Sequence, residues 1–469
     1  TTAPQAGIGQ SDTFPEGQCV FIDVNQDKGR VVPEADKEQL AANAVSNDSV
    51  KQEGEPAPKK APPLFIKAAV GSLILSIVFY VFLFIYLGAS SNQLAYTQNL
   101  QVAVMSFDSG MIGQAVLGFA GAVHSGNGLP SLQVITTPTS IDDMRNRVGN
   151  AEFWGAVLVQ TDATSKLNAA FAAADGTFNP ASAIQFIYDE SRFPTTVASR
   201  ISGPVRGLLT AFCQNFSATF VQKMGANPKI SAVATSAPKL LSQPLWFTET
   251  NLHPATVQVA TFGLTVGMIL LVVFSWASWA ATYGMTEPPT PPATHGGMVA
   301  LQASRVCVAL WITFCVTLSF TLIWQALGAD FPSGGAWVGF WLLHWLHMFN
   351  YAMTLSVATN LLTFPKAPMA LIFIIVFNAS GAFNELSLTT PFYQWGWAMP
   401  MAHAVMASRT LVYNGRDTLG INVGALAIWA TFMFCLSFLT LPRPKPSASA
   451  SSSSAPTAAA AGGGQRAAP

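Results

Sequence analysis

The stretch AAVGSLILSIVFYVFLFIYL, residues 68–87, contains no charged side chain and decides the class of the fold. An apolar helix of about 20 residues is long enough to cross the hydrocarbon core of a bilayer. Lysine residues precede this stretch closely, whereas no lysine or arginine follows it until Arg145. Because basic residues concentrate on the cytoplasmic side of a span, the sequence predicts a first transmembrane helix at 64–88 with its N-terminal end in the cytoplasm.

The composition of the whole chain also favours a membrane protein. Hydrophobic residues make up 51% of the 469 residues and charged residues only 10%, whereas a soluble domain carries roughly 25% charged residues. The formal net charge is zero, so no nucleic-acid partner is expected, since such binding requires a basic surface. The five cysteines have neither CxxC nor zinc-ligand spacing, so we expect no metal site and no cofactor.

Residues 89–250 are more polar and are expected to form an extracytoplasmic α/β domain between the first and second spans. Short apolar or alternating runs predict four strands, at 100–107, 132–138, 154–160 and 183–189. Helical patterns lie near 140–149, 163–173 and 195–223. Strands separated by helices predict a partly parallel sheet.

Five further apolar runs predict a membrane domain at 251–441, with spans near 256–283, 303–327, 336–361, 367–384 and 421–441. The chain is therefore expected to be an α-helical polytopic membrane protein with about six transmembrane helices and both termini in the cytoplasm. The aromatic-rich stretch 391–415 predicts an interfacial or re-entrant segment. The plasma membrane is the expected location, with an internal membrane as the alternative.

The two ends of the chain, residues 1–63 and 442–469, show no apolar period. The first carries scattered charges of both signs and several prolines, and the second consists mainly of Pro, Ser, Ala and Gly. Both compositions are typical of disordered segments, which we expect to be cytoplasmic tails.

Catalytic and nucleotide-binding signatures are absent from the sequence. It contains no GxxxxGK[ST], GxSxG or HExxH pattern. The chain is therefore expected to have no catalytic residues and not to be an enzyme. Active export, if the chain performs it, would need a partner ATPase or an ion gradient.

A polar stripe interrupts the run WLLHWLHMFNYAM at His344, His347, Asn350 and Tyr351. Helical spacing places His344, His347 and Tyr351 on one face. Polar groups inside membrane helices turn inward and mark either function or packing. One interpretation is a substrate path or proton relay, and the other is a set of interhelical hydrogen bonds worth roughly 0.6 kcal/mol each.

The segment that joins the α/β domain to the second span contains Asn251, His253, Pro254 and Gln258. Proline is favoured in the first turn of a helix, which predicts that Pro254 lies there. The joint either transmits motion between the domain and the membrane helices or only sets the angle at which the helix begins.

Several charged residues are predicted near the membrane surface. Glu385 is expected at the interface, because burial of an unpaired carboxylate is costly. Arg409 and Arg416 precede the last span and have two alternative partners, the carboxylates of Glu385 or Asp417, or lipid phosphates. In the α/β domain, Asn215 begins a glycosylation sequon, which would test the predicted topology.

Four stretches carry a resemblance to a known family: VGNAEFWGAVLVQTDATSKLNAA (148–170), IYDESRFPTTVASRISGP (187–204), NLHPATVQVATFGLTVGMILL (251–271) and PFYQWGWAMPMAHAVMASRTLVYNG (391–415). The chain resembles the fungal nitrosoguanidine-resistance membrane proteins, a family with an ABC-2-type permease-like architecture. The resemblance implies an integral membrane protein linked to drug or mutagen resistance and to membrane lipid homeostasis.

Two functional hypotheses follow from the span pattern and the resemblance. In the first, the chain is permease-like, lacks its own ATPase, and handles an unknown small hydrophobic substrate. Its expected partners are membrane lipids together with a partner ATPase or a second copy of the chain. In the second, it is a non-transporting scaffold or adaptor whose outer domain binds a protein or lipid. A membrane-embedded enzyme is a third, less favoured class.

Overall fold

A computed structural model of the protein describes residues 64–137 and 140–444. The predicted tails lie outside these residues, except for 442–444. The described chain starts with helix α1, Leu64–Gly88. None of the side chains in the apolar part of α1 is buried, and Phe79 and Tyr80 are 64% and 69% exposed. Lipid is the solvent that makes such a surface favourable.

A five-stranded sheet follows, with strands β1 Gln101–Ser106, β2 Ser131–Val134, β3 Gly155–Val159, β4 Ile184–Tyr188 and β5 Phe247–Asn251. The strand order is β2-β1-β3-β4-β5, and all neighbours are parallel except β3 and β4, which are antiparallel. The first four strands correspond to the four predicted ones, although β2 ends four residues before its predicted end. Strand β5 was not predicted, because its residues FTETN are largely polar and lie at the sheet edge.

Helices cover both faces of the sheet: α2 Met111–Ala122, α3 Ile141–Gly149, α4 Ala163–Ala173, α5 Gly203–Met224, α6 Ile230–Ser236 and α7 Lys239–Ser242. Val102 and Val104 of β1 belong to the core formed with α2, α4 and α5, whereas Ala103 and Met105 pack with α3. This division follows from the alternation of side chains along a strand. Helix α2 was not predicted, because its sequence MIGQAVLGFAGA has only one polar side chain, Gln114, to mark an exposed face.

Asp108 joins two helices of the domain at their N-terminal ends. Its Oδ2 accepts hydrogen bonds from the backbone N–H of Gly113 in α2 over 3.1 Å and from the Thr164 hydroxyl in α4 over 2.5 Å. Burial alone would raise the pKa of this carboxyl, but the hydrogen bonds from Thr164 and Gly113 hold it below its ordinary value of 3.8. The ionised carboxylate therefore stabilises the position of both helices.

The remaining helices form a bundle: α8 Gln258–Thr286, α9 His295–Ala326, α10 Gly334–Leu362, α11 Ala367–Ala382, α12 Pro400–Tyr413 and α13 Leu419–Leu439. Among the described residues, five helical segments are long and apolar enough to cross a membrane, and they belong to α1, α8, α9, α11 and α13. The chain is thus an α-helical membrane protein.

Helix α10, which contains the predicted span 336–361, is not among these five segments although it has 29 residues. Its two histidines and two asparagines, His344, His347, Asn350 and Asn360, lower its hydropathy over the length of a span. It packs against α8, α9, α11, α12 and α13, so protein rather than lipid surrounds most of its surface. The sixth span therefore stays a prediction.

The predicted segment 391–415 consists of a 3₁₀ helix, Pro391–Ala398, followed by α12. Ten of the 14 residues of α12 are buried, and the helix packs on α10, α11 and α13. A Cβ atom built on Gly381 of α11 would lie 2.6 Å from the Cα of Gly396. The two backbones thus touch, and this contact fixes the 3₁₀ helix against α11.

Candidate functional site

The predicted polar stripe lies in the middle of α10, where His344, His347, Asn350 and Tyr351 are all buried. The ring of His347 is 6.5 Å from that of His344 and 4.8 Å from that of Tyr351, measured between centroids. The three rings therefore share one helical face, as their spacing predicts.

Two members of the stripe bind neighbouring helices. Nδ1 of His344 is 2.7 Å from the carbonyl oxygen of Phe340, and its Nε2 is 3.4 Å from the hydroxyl of Ser408 in α12. The hydroxyl of Tyr351 donates to Oδ1 of Asn378 in α11 over 2.8 Å. These contacts match the interpretation of His344 and Tyr351 as interhelical connections.

His347 and Asn350 differ from these two residues. Within the described part of the chain, neither ring nitrogen of His347 and neither polar atom of the Asn350 amide has a hydrogen-bond partner. Both side chains are 0% exposed. A buried polar group without a partner costs about 1–3 kcal/mol, and such groups in native proteins call for a specific explanation. These two side chains thus do not form the interhelical hydrogen bonds that His344 and Tyr351 form.

Other polar contacts continue along α10 towards its C-terminal end. Nε1 of Trp279 in α8 donates to Oγ1 of Thr359 over 2.9 Å. Nε2 of Gln302 in α9 donates to the hydroxyls of Ser356 and Ser437, over 2.9 and 3.1 Å. Neither Gln302 nor Trp279 was predicted as a site residue, although a glutamine inside the apolar α9 is a signal that such a group needs a partner.

The predicted joint is built around a turn after β4, the 3₁₀ helix Glu190–Arg192. Oδ1 of Asn251 accepts the backbone N–H of Glu190 over 3.3 Å. Nδ1 of His253 lies 2.8 Å from Oδ2 of Asp189. The structure thus brings Asn251 and His253 together on one turn of the domain.

Pro254 and Gln258 are placed differently from the prediction. Helix α8 begins at Gln258, so Pro254 lies outside its first turn, in a non-helical segment. The hydrogen bond from the backbone N–H of Ala255 to Oε2 of Glu190, over 3.1 Å, holds this segment on the turn. The attachment to the turn, rather than a proline at the first helical position, thus holds the chain just before α8.

A cavity of about 330 Å³ lies between this turn and the helices α12 and α13. Three arginines line it: Arg192 of the turn, Arg409 of α12 and Arg416 of the following loop. Nη1 of Arg192 donates to the carbonyl oxygen of Ala151 over 3.1 Å, and its guanidinium lies 3.5 Å from the ring centroid of Trp154. The lining residues fall in 148–151, 189–192, 385 and 397–422, and the sequence pattern did not connect the first two segments with the others.

The lining arginines have no salt bridge to a carboxylate within 4.0 Å among the described residues. Of the two alternatives for Arg409 and Arg416, pairing with Glu385 or Asp417 is therefore not formed at that distance, and pairing with lipid phosphates stays open. Asp417 instead accepts the backbone N–H of Leu419 over 3.1 Å. Burial lowers the pKa of Arg192 to about 10, and the nearby Glu385 only partly offsets this effect.

The sequon residue Asn215 lies on the exposed side of α5, well away from the ends of that helix. Its backbone oxygen accepts the hydroxyl of Thr219 over 3.0 Å. A folded helix is a poor acceptor for glycosylation, which favours exposed loops. Asn215 is therefore a weak reporter of topology.

The chain belongs to a family described as "Protein of unknown function (DUF3533)", whose model matches residues 72–435. The matched region includes about two thirds of α1, the sheet domain and most of α13. No solved structure matches the chain. The family is thus established, and its description assigns no activity.

Proposed function

We propose that this chain is a permease-like protein through which a small hydrophobic compound passes along the polar stripe of α10. The observation that carries the proposal is the pair of buried side chains, His347 and Asn350, whose polar atoms have no partner in the described structure. The donors and acceptors of His347 and Asn350 are available to the transported compound or to a proton that moves with it.

The position of α10 supports this proposal. It packs against five other helices of the bundle, so a compound bound at its polar stripe would be separated from lipid on most sides. In this proposal α10 is the sixth span, and both termini are cytoplasmic. The sequence contains no phosphate-binding GxxxxGK[ST] motif, so a partner ATPase or an ion gradient would supply the energy. A second copy of the chain would complete the path if one copy does not form it.

The compound class comes from the resemblance to fungal nitrosoguanidine-resistance proteins. It supports a role in drug or mutagen resistance, or in membrane lipid homeostasis, at the plasma membrane or an internal membrane. We favour this role over a scaffold, because a scaffold gives no reason to keep unpaired polar groups in the bundle centre.

Efflux of a labelled toxic compound from cells tests the proposal. We compare cells lacking the gene with cells that express the wild type, His347→Leu, Asn350→Leu or the double variant, at equal membrane levels. Thr431→Val is the matched control, because it also replaces a polar side chain of a membrane helix by an apolar one, but on an exposed face. We expect the control to export like the wild type and the double variant to retain the compound like cells without the gene.

Equal efflux by the double variant and the wild type, with both above the level of cells lacking the gene, would contradict the proposal. A scaffold is indicated if resistance survives the double variant but is lost on deletion of residues 95–245, with the shortened protein still in the membrane.

A further inference from the structure

We propose that the cavity between the Glu190–Arg192 turn and helices α12 and α13 binds a phosphate-bearing anion through Arg192, Arg409 and Arg416. This inference concerns a different site from the polar stripe and holds whether or not the chain transports a compound.

The three guanidinium groups converge from separate elements and keep donors free. Each guanidinium has five N–H donors. Nη1 of Arg192 donates to the carbonyl oxygen of Ala151 over 3.1 Å. Nη1 of Arg409 donates to the carbonyl oxygen of Arg192, also over 3.1 Å. One face of each group lies on an aromatic ring, Trp154 at 3.5 Å and Phe193 at 4.0 Å. These contacts fix both groups in place without neutralising their charge.

The carboxylates near the arginines are bound by other donors. Oδ1 of Asp189 accepts the backbone N–H and the hydroxyl of Ser191, and its Oδ2 contacts His253. Glu385 accepts the hydroxyl of Ser387. Three arginines against the two lining carboxylates, Asp189 and Glu385, give the cavity a formal charge of +1. A bound anion would pair with the arginine charge that Asp189 and Glu385 do not neutralise.

Phosphate fits this arrangement better than a carboxylate does. Its several oxygens can accept hydrogen bonds from more than one guanidinium, and arginine binds phosphate in a bidentate manner. A volume of about 330 Å³ accommodates a phosphate with a small attached group. Both a lipid headgroup and free phosphate have this chemistry.

The surroundings of the cavity are those of a membrane surface. Ile421 and Asn422, which line it, lie at the start of the apolar helix α13. Trp397 also lines it and is 51% exposed, and tryptophan is enriched at the level of lipid headgroups. Apolar side chains therefore adjoin the arginines, as the acyl chains attached to a lipid phosphate would require.

Binding is measured on the full-length protein in detergent micelles by titration of the intrinsic tryptophan fluorescence, because Trp154 and Trp397 adjoin the arginines. One arm adds inorganic phosphate against chloride at equal ionic strength. The second adds phosphatidic acid, and the third adds diacylglycerol with the same acyl chains, which differs only in lacking the phosphate. Saturable binding of phosphatidic acid alone identifies a lipid headgroup. Equal binding of phosphatidic acid and inorganic phosphate identifies a free anion.

Three variants connect the binding to the cavity. Arg416→Gln alters an exposed arginine and should weaken binding about tenfold, as expected for loss of one charge-assisted hydrogen bond. Glu385→Gln keeps an acceptor for Ser387 but removes a negative charge, so it should strengthen binding, a gain that misfolding cannot imitate. Arg206→Gln is the matched control, because its guanidinium pairs with Glu249 and does not line the cavity.

Three results would overturn the proposal. Equal affinity for diacylglycerol and phosphatidic acid would show that apolar contacts, and not the phosphate, account for the binding. Unchanged affinity in both Arg416→Gln and Glu385→Gln would place the anion elsewhere. Failure of both phosphatidic acid and inorganic phosphate to saturate the signal would show that no phosphate site exists.

Discussion

Nη1 of Arg409 donates a hydrogen bond to the carbonyl oxygen of Arg192 over 3.1 Å, across a sequence separation of 217 residues. The same guanidinium lies 4.0 Å from the ring centroid of Phe193. These contacts attach the turn after β4 to helix α12. The sheet domain is therefore connected to the bundle through the charged side chain of α12 as well as through the chain segment before α8.

Replacement of this arginine tests the connection. Arg409→Met should destabilise the protein by about 1.5–3 kcal/mol, because it removes a hydrogen bond from a charged donor and leaves the Arg192 carbonyl without that partner. The measurement is the apparent melting temperature in detergent. Arg145→Met is the control, since Arg145 forms only an exposed pair with Asp142 and should change stability by less than about 0.5 kcal/mol. Equal shifts in the two variants would show that the Arg409 contact is not important for stability.

Replacement of the two histidines of α10 by leucine should affect the stability of the protein differently. His347→Leu should leave stability unchanged or raise it by up to about 1–3 kcal/mol, because an imidazole without partners is removed from a buried position. His344→Leu should lower stability by about 1 kcal/mol, because its contacts with Phe340 and Ser408 are lost. Apparent melting temperatures of both variants check this order. A larger loss for His347→Leu would mean that His347 has a partner after all.

Asp108 should make the stability of the sheet domain depend on pH in the acid range. Its folded pKa lies below 3.8, so its contribution is present above that pH and is lost as the pH falls through the folded pKa. Asp108→Asn should cost about 1–3 kcal/mol at pH 7, and the difference from the wild type should shrink below pH 3.8. Asp142→Asn, at an exposed position, is the control. A difference that stays constant down to pH 2 would contradict this assignment.

Two helical glycines provide a matched test of backbone packing. Gly381→Ala should destabilise the protein by about 1–3 kcal/mol, because the new methyl group would lie 2.6 Å from the Cα of Gly396. Gly424→Ala in α13 meets no atom within 4 Å and should stabilise by about 0.5–1 kcal/mol through helix propensity. Thermal unfolding of the two variants gives the comparison. Equal stability of the two variants would show that α11 and the Pro391–Ala398 helix are not in close backbone contact.

The side of the membrane that holds the sheet domain can be tested with an added sequon. Asp175→Asn completes the sequence Asn-Gly-Thr in the loop after α4, and an asparagine there can still accept the N–H and hydroxyl of Thr177. We expect this variant to acquire a glycan that an endoglycosidase removes, because the domain is predicted to be extracytoplasmic. Asp175→Gln, which creates no sequon, is the control. Absence of the glycan in a folded, membrane-inserted variant would place the domain in the cytoplasm.

Hydrophobicity alone predicted much of the fold. Uncharged runs such as 68–87 led directly to helices, because lipid requires both their length and their composition. The alternation in β1 likewise predicted a strand with one set of side chains on each face. Helix α10 was harder to classify, since protein rather than lipid surrounds its polar side chains.

The functional regions were predicted less completely. The polar stripe was found because four polar residues stand out in one apolar run. The cavity was missed as a unit, because Arg192 and Arg409 are brought together only by tertiary packing. The short-range patterns that reveal helices and strands contain no information about such a contact. Strand β5 was missed for a related reason, since its pairing with β4 and not its own composition makes it a strand.

The cavity also imposes an order on the biosynthesis of the molecule. A ribosome makes the turn Glu190–Arg192 long before it makes Arg409 and Ile421, so the sheet domain can fold while one wall of the cavity is still absent. The site is complete only after α13 has been translated. A ligand held there would thus distinguish finished molecules from nascent ones.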